Sequence, residues 1–278
     1  MARCRFVCPT LVALVALASS ALADTETPPA APAAANVARK KHVVIDPGHG
    51  GSNLGAQGTI PALREKHLTL VLANLVATRL RDQGLEVTMT RTTDRTLTLR
   101  QRVDTANNLS ADLFVSIHAN AAEDPTSRGT ETFFLALSPT DAAAERVAAR
   151  ENEAFGEAAT GIAAVNDPFI ALIGDLIATE HLQESSVFAH EVQSELAAAA
   201  PRSRGVKQAL FVVLTGVQMP ASLVEIGFIT SREEEAHMKS ADGLREIVAA
   251  LERAIVDYGR GHAQRLGAGT PASPAEAK

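Results

Sequence analysis

The sequence is poor in cysteine and in aromatic residues. Among its 278 residues there are two cysteines, one tyrosine and no tryptophan, and only 4% of the residues are aromatic. Both cysteines, Cys4 and Cys8, lie near the amino terminus, in a segment with the character of an export signal. The rest of the chain has no thiol to form a disulfide, to act as a nucleophile or to bind a metal. A metal site must therefore be built from histidine, aspartate or glutamate.

The chain also lacks an excess of positive charge. It has 26 basic and 32 acidic residues. Without Arg3 and Arg5 of the export signal, 24 basic residues remain against 32 acidic ones, a formal charge of −8. Such a chain has no electrostatic footprint for nucleic acid or anionic lipid. We therefore expect no nucleic-acid partner.

Residues 1–23 have the pattern of a secretory signal peptide. Arg3 and Arg5 form a charged start, an apolar run follows, and the sequence ALA ending at Ala23 is an A-x-A cleavage site. A proline and several hydroxyl residues interrupt the apolar run, which is short for a membrane span. We expect cleavage after Ala23, export to the periplasm or the extracellular space, and no membrane span in the mature chain.

The remaining sequence predicts a single α/β domain at residues 41–262. Residues 24–40 are rich in alanine and proline and predict a flexible linker, and residues 263–278 predict a disordered tail. Strand-like runs alternate with helical patterns, which is typical of a mixed, mostly parallel sheet of about six strands with helices on both faces, a three-layer architecture. We predict strands at residues 42–46, 85–90, 112–117, 130–135, 209–213 and 222–226, and helices at residues 66–83, 97–109, 138–155, 185–200 and 241–259. On the first of these helices, the apolar face is predicted to contain Leu68, Val71, Leu72, Leu75, Val76 and Leu80.

Residues 155–186 do not fit this alternation. Glycines and a proline interrupt a weakly helical pattern there. The segment is either a connecting helix or a lid over an active site, because long irregular stretches in compact domains often cover functional sites.

Three polar residues occupy positions where α/β proteins place their chemistry. His49 follows the first predicted strand in VVIDPGHGG, His118 ends the third in FVSIHAN, and Glu65 begins the first helix. Each has an ordinary explanation, since an acidic residue is favourable in a helix's first turn and a histidine at a strand end is often structural. However, the ends of parallel strands and the head of the following helix meet at one rim of the sheet. Two imidazoles and a carboxylate at one point match a catalytic zinc site, with Asp46 as the acceptor that orients an imidazole.

Glu225 lies among apolar neighbours in the predicted strand LVEIGF. A charge in a buried strand needs a partner or a function. Glu225 either forms a salt bridge to a basic residue such as Arg91, or acts as a general base. In the second case it takes a proton from water at the zinc and passes it to the leaving nitrogen.

Other catalytic patterns are incomplete. The segment GHGGSN lacks the last glycine of a dinucleotide-binding fingerprint, and no phosphate-binding loop is present. His190 and Glu191 begin like a metalloprotease helix, but Ser194 stands where the second histidine is needed. No G-x-S-x-G nucleophile elbow occurs. The sequence therefore predicts no nucleotide cofactor and no serine hydrolase.

In these segments, and in LTLRQR, RGTET, REN and GVKQA, residues 41–258 resemble the zinc-dependent N-acetylmuramoyl-L-alanine amidases of the amidase type 3 family. The resemblance implies a three-layer α/β fold, a Zn²⁺ ion held by His49, Glu65 and His118, and Glu225 as the catalytic residue. It also implies cleavage of the amide between N-acetylmuramic acid and L-alanine in peptidoglycan, for cell-wall remodelling or daughter-cell separation.

The resemblance further implies a form of regulation. Some relatives are held inactive by a helix over the zinc and are released by an activator protein. In this chain such a helix is expected in residues 155–186, with an activator protein as a partner. We expect the protein itself to be a monomer.

Two other functions fit part of the pattern. A zinc carboxypeptidase or endopeptidase acting on the stem peptide has similar ligands, but it generally takes the first two from a close H-x-x-E pair. His49 and Glu65 are 16 positions apart, which favours the amidase. An inactive wall-binding regulator would have lost a ligand or the base, whereas all four positions are filled.

Overall fold

The structure, a computed structural model, describes residues 41–60, 63–153, 180–200 and 202–268. The predicted signal peptide, the predicted linker at 24–40 and most of the segment 155–186 lie outside the described residues. No helix in the described part of the chain combines the length and the apolar character needed to cross a membrane.

The described residues form six strands and six α-helices. The strands are β1 (His42–Pro47), β2 (Glu86–Met89), β3 (Leu113–Asn120), β4 (Thr130–Leu135), β5 (Ser203–Ala209) and β6 (Ala221–Phe228). The helices are α1 (Glu65–Asp82), α2 (Leu99–Asn108), α3 (Ala142–Glu153), α4 (Glu180–Ala199), α5 (Arg232–Lys239) and α6 (Ala241–Ala268), and a short 3-10 helix spans Val212–Leu214.

The strands form one mixed sheet in the order β2-β1-β3-β6-β4-β5. The strands β2, β1, β3 and β6 are parallel, β4 is antiparallel to β6, and β5 is parallel to β4. The carboxyl ends of β1, β3 and β6 therefore lie at one rim of the sheet. The predicted mixed, mostly parallel sheet is confirmed.

Two apolar clusters cover the two faces of the sheet. One contains Leu72 of α1, Val192 of α4 and Leu251 of α6, and the other contains Val147 of α3 and Phe114 of β3. Alternate side chains of a strand point to opposite faces, so a strand covered on both sides is apolar at nearly every position. This explains the continuous apolar runs in β1 and β3, and it confirms the predicted three layers.

The strand predicted at residues 209–213 is wrong. The paired strand is β5, which is polar because it lies at the edge of the sheet. Of the residues predicted as a strand, only Ala209 belongs to β5, whereas Val212 and Val213 begin the 3-10 helix, and Val213 is buried in the second cluster. The apolar sequence at residues 209–213 indicates that this segment is buried. Buried residues need not belong to a hydrogen-bonded strand.

Several helix predictions also need correction. Val71 and Leu75 of α1 are exposed, and the buried face is completed by the small residues Ala73 and Ala77. Helix α5 was not predicted, since its sequence REEEAHMK has only two apolar residues. The last helix, α6, continues to Ala268, so the first residues of the predicted tail at 263–278 are helical, and residues 269–278 lie outside the described part.

Two buried arginines hold the loop that follows β1. Arg102 donates to Asp46 over 2.6 Å and to the carbonyl oxygens of Pro47 and His49 over 2.8 and 2.7 Å. Arg91 donates to the carbonyl oxygens of Pro47 and Gly48 over 3.0 and 2.7 Å. Burial alone would raise the pKa of Asp46, but the charge of Arg102 and three hydrogen bonds lower it. The loop backbone is therefore bound by the guanidinium groups of two buried arginines.

The Arg102→Leu substitution is expected to destabilise the protein strongly. It leaves the buried Asp46 carboxylate without its charged partner and removes one donor from each of two carbonyl oxygens, and breaking a buried ion pair costs about 3–5 kcal/mol. Urea denaturation measures the change in the free energy of unfolding. The control Arg100→Leu removes an exposed ion pair with Asp104 on the same helix and should cost less than about 1 kcal/mol. Similar losses in the two variants would show that the buried pair has no special role.

Candidate metal centre and active site

Four buried side chains converge at the rim of the sheet. His49 comes from the loop after β1, Glu65 from the start of α1, His118 from β3 and Glu151 from α3. Their ligand atoms all lie within 4.8 Å of one another. The structure thus brings together the three residues singled out in the sequence and adds Glu151, which was missed.

The distances between these atoms suit a small cation. His49 Nε2 lies 3.0 Å from Glu65 Oε2 and 3.2 Å from Glu151 Oε2. His118 Nδ1 lies 3.1 Å from Glu65 Oε1 and 2.9 Å from Glu151 Oε2. A tetrahedral zinc ion with bonds of about 2.0–2.2 Å separates its ligand atoms by about 3.3–3.6 Å. A small outward shift of the side chains would therefore accommodate the ion.

His49 is oriented by its own loop. Its backbone has φ 60°, the left-handed region that few non-glycine residues adopt. Its Nδ1 lies 2.9 Å from Asn53 Oδ1, which can only accept a hydrogen bond. Nδ1 therefore donates to Asn53, and Nε2 is directed at the other ligand atoms. The prediction that Asp46 orients an imidazole is wrong, because Asp46 is still within β1 and binds Arg102.

Glu65 is held by backbone amides outside its own helix. Its Oε2 accepts from Ala56 N over 2.9 Å, and its Oε1 accepts from Ala119 N over 3.0 Å. The alternative that Glu65 serves only its own helix terminus does not describe these contacts. Burial alone would raise the pKa of Glu65, but the charge of His49 and the two imidazole hydrogen bonds lower it to about 2. The side chain is thus an anion fixed in one orientation.

The four groups attract positive charge to their centre. Burial alone would lower the pKa of His118, but Glu151 and Glu65 raise it to about 9. The pKa of His49 is likewise raised well above its usual value by Glu65 and Glu151, against the effect of burial. Two carboxylates this close and this buried are stable only beside compensating positive charge. Protonated imidazoles or a divalent metal ion can supply it, so the donor set fits such an ion.

Glu151 was missed because α3 was considered only as a covering helix. Ala144, Val147 and Ala148 are buried on one side of α3, and Glu151 lies on the same side, seven, four and three positions further along. A charge on the apolar face of a helix was the available signal. With Glu151 the set has four protein ligands, which is the number that closes a tetrahedral zinc site.

Glu225 lies beside this group on the next strand. It is fully buried in β6, directly opposite His118 in the strand register. Neither of its carboxylate oxygens forms a hydrogen bond with the described residues. Burial and the charge of Glu151 raise its pKa well above the usual value. Such a carboxylate is suited to accept a proton.

The basic residue nearest to Glu225 is not the one considered from the sequence. Arg91 binds the loop after β1, so the alternative of an Arg91 salt bridge is wrong. Instead Arg150 Nη2 lies 3.7 Å from Glu225 Oε1. Arg150 also donates to Asn120 Oδ1 and to the carbonyl oxygen of Ala121, over 3.1 and 2.6 Å. Helix α3 thus contributes neighbouring residues to both the metal group and the carboxylate beside it.

The sequence matches the family described as N-acetylmuramoyl-L-alanine amidase over residues 43–257. It is 33% identical over 246 residues to N-acetylmuramoyl-L-alanine amidase AmiA of Escherichia coli (strain K12), covering 87% of this chain and 84% of that protein. It is also 31% identical to the amidase AmiC of Neisseria meningitidis serogroup B (strain ATCC BAA-335 / MC58), covering 85% of this chain and 56% of that protein.

The fold has a similar match among solved structures. The catalytic domain of CwlV, an N-acetylmuramoyl-L-alanine amidase from Bacillus (Paenibacillus) polymyxa var. colistinus, superposes with a TM-score of 0.61 at 29% sequence identity. The match covers 79% of this chain and 98% of that domain. Sequence and fold comparisons therefore agree.

The Gly48→Ala substitution is expected to weaken metal binding at this candidate site. A methyl group on Gly48 would lie 2.5 Å from Cε1 of His118, so the imidazole would have to move. Displacing a ligand's support typically costs about tenfold to hundredfold in metal affinity. Zinc titration against a chromophoric chelator measures the dissociation constant.

Gly259→Ala is the matched control, because a methyl group there meets nothing within 4 Å. In a helix this change should leave zinc affinity unchanged and stabilise the fold by up to about 1 kcal/mol. Equal zinc affinity in the Gly48 and Gly259 variants would contradict the close packing of Gly48 against the ligand.

Proposed function

This chain belongs to the N-acetylmuramoyl-L-alanine amidase family, and from that premise we propose that it hydrolyses the amide between N-acetylmuramic acid and L-alanine with a bound zinc ion. Peptidoglycan is its substrate. The observation that carries the proposal is the buried group of His49, Glu65 and His118 with Glu225 on the adjacent strand. This group supplies metal ligands and a proton acceptor side by side.

The donor set supports zinc. We assign His49 Nε2, His118 Nδ1 and a carboxylate oxygen of Glu65 as ligands, since imidazole nitrogens and carboxylate oxygens are donors that zinc commonly takes. A zinc ion there would polarise the scissile carbonyl and make water more acidic. Asn53 holds the His49 ring and the amides of Ala56 and Ala119 hold Glu65, so the ligands are oriented before the metal binds.

Glu225 performs the proton transfers in this proposal. Its carboxylate takes a proton from the water that adds to the carbonyl carbon. It then gives that proton to the nitrogen of L-alanine as the carbon–nitrogen bond breaks. The products are the lactyl carboxylate of the sugar and a peptide with a free amino terminus. The buried carboxylate of Glu225 is suited to both steps, because no hydrogen bond from the described residues competes for its oxygens.

Glu151 supports a closed resting state. A catalytic zinc site keeps one position open, whereas four protein ligands close it. We propose that Glu151 occupies the position needed by water and must leave before turnover. An activator protein that draws the end of α3 away from the sheet would open the site. The predicted inhibitory segment at 155–186 is consistent with this scheme, because it follows α3 in the sequence.

The biological setting is also part of the proposal. The signal-like residues 1–23 support export to the periplasm or the extracellular space, where peptidoglycan is found. Cell-wall remodelling or daughter-cell separation by a monomeric enzyme is the role we propose. Family membership and the 16-residue separation of His49 and Glu65 favour the amidase over a stem-peptide peptidase. The filled ligand and base positions disfavour an inactive regulator.

Replacing the base should separate zinc binding from turnover. Glu225→Gln is expected to retain zinc and the fold and to lose about 10²- to 10⁴-fold in rate, which is the usual contribution of a general acid–base group. His118→Ala should lose zinc as well as activity. Wild-type protein treated with a chelator should also lose both, and it should recover activity when zinc is added back.

The readouts are zinc content and mass spectrometry of products from purified peptidoglycan. Stem peptides with a free L-alanine amine identify an amidase, whereas shortened stem peptides identify a peptidase. Near-wild-type turnover in Glu225→Gln would contradict the role of Glu225 in proton transfer.

Removing the fourth ligand should activate the isolated protein. Glu151→Ala is expected to keep zinc on three ligands and to raise peptidoglycan hydrolysis in the absence of any partner at least about tenfold, because the fourth position becomes open. Glu145→Ala, at an exposed position in the first turn of the same helix, is the control and should change nothing. Dye release from labelled sacculi measures the rate. Unchanged hydrolysis in Glu151→Ala would contradict the closed resting state.

A further inference from the structure

Four neighbouring strands place polar side chains at one level of the sheet. His118 on β3 lies opposite Glu225 on β6, and Glu225 lies opposite Glu131 on β4. On the far side of β4, Arg204 of β5 donates from Nε to the Glu131 carboxylate. Residues opposite one another on adjacent strands share a face of the sheet. A polar row therefore runs from the metal ligand through the base to an arginine at the sheet edge.

A cavity of about 680 Å³ lies over the Glu131 and Arg204 end of this row, between the sheet and α3. Asn120, Glu131, Arg204 and Phe228 line it from the sheet, and Arg146 and Arg150 line it from the helix. Ligand pockets commonly enclose about 300–1,000 Å³, so the space suits a short peptide. It adjoins the active site, because Arg150 lies 3.7 Å from Glu225.

Arg204 is held as a rigid donor at the far end of the cavity. Glu131, which anchors it, is fully buried and also lies 3.4 Å from Lys207 Nζ. The guanidinium stacks over Phe228, with its carbon 5.3 Å from the ring centroid. Among the described residues, only Nε of Arg204 forms a hydrogen bond from this side chain. The N–H groups of both terminal nitrogens are therefore available to a ligand. The side chain is 33% exposed, and a ligand in the cavity can reach it.

The second wall adds positive charge. Arg146 of α3 lines the cavity, is exposed, and forms no ion pair with any described residue. A planar guanidinium with two free terminal amino groups matches the geometry of a carboxylate, which it binds through two parallel hydrogen bonds. Glu123 and Glu153 also line the cavity, so the ligand group that fits its Arg204 end is one carboxylate of a peptide and not a strongly acidic segment.

We propose that the cavity is a subsite for the stem peptide and that Arg204 binds a free carboxylate of that peptide. The inference rests on the proposed amidase function, which places the scissile amide beside Glu225. Two strand spacings of about 4.8 Å separate Glu225 from Arg204, a span of about 10 Å. An extended peptide advances about 3.3–3.6 Å per residue, so the recognised carboxylate belongs to about the third residue after the scissile bond.

Paired substrates test the subsite. One is an N-acetylmuramoyl tripeptide with a free carboxylate on its third residue, and the other carries a carboxamide there. Each is given to the zinc-loaded full-length protein and to its Glu151→Ala form. The parent should prefer the carboxylate about tenfold to hundredfold in kcat/KM, mainly through KM, as expected for hydrogen bonds to a charged group.

Arg204→Gln should abolish that preference, because kcat/KM falls about tenfold or more on the carboxylate substrate and less on the carboxamide substrate. Arg204→Lys should restore part of the preference, because lysine keeps the positive charge but lacks the two parallel N–H donors of the guanidinium. Arg202→Gln, which changes an exposed arginine two positions earlier, should behave as the parent. Thermal unfolding of each variant reports whether the fold is retained.

Binding of the product tripeptide by calorimetry separates the two levels of the proposal. Arg204-dependent binding of the carboxylate peptide without any cleavage would support the subsite and overturn the amidase reaction. Cleavage with no preference in the parent, or an equal loss on both substrates in Arg204→Gln, would overturn the subsite and leave the amidase intact.

Discussion

The whole site depends on two buried arginines that bind one loop. Arg91 and Arg102 donate to the carbonyl oxygens of Pro47, Gly48 and His49, the last residue of β1 and the two that follow it. Carbonyl groups that would otherwise be buried without donors are thus satisfied. The arrangement also holds His49 in its left-handed backbone conformation, since a strained residue persists only when its surroundings over-determine it.

The metal group combines local and long-range constraints. Loop contacts within a few residues orient His49, whereas Glu65 is held by amides from two separate segments, including Ala119 of β3. Glu151 approaches from the opposite layer, on α3. The two carboxylates and two imidazoles are stable together because each offsets its neighbours' charges, and the same balance makes the centre a place for a cation. A closed group of four ligands is therefore compatible with a buried resting state.

The reversal of strand direction within the sheet extends the site sideways. Because β4 runs antiparallel to β6, Glu131 stands beside Glu225, and the edge strand β5 then adds Arg204. The candidate metal ligand His118, the proposed base and the proposed peptide contact thus share one face of the sheet beneath α3. A helix that lies over all three can close the metal position and cover the peptide cavity at once, which links access to the metal with access for the substrate.

Much of this was readable in the sequence. The apolar runs of β1 and β3 and the positions of His49, Glu65 and His118 at element ends follow from local pattern, because parallel strands bring their carboxyl ends to one rim. The charge at Glu225 was also visible in the local pattern, because its neighbours in the strand are apolar. Tertiary structure alone decided that Glu151 completes the ligand group, that Arg150 and not Arg91 faces Glu225, and that β5 precedes the apolar residues predicted as a strand. Periodicity reports which face of an element is buried, but the partner across that face is set only when the layers pack.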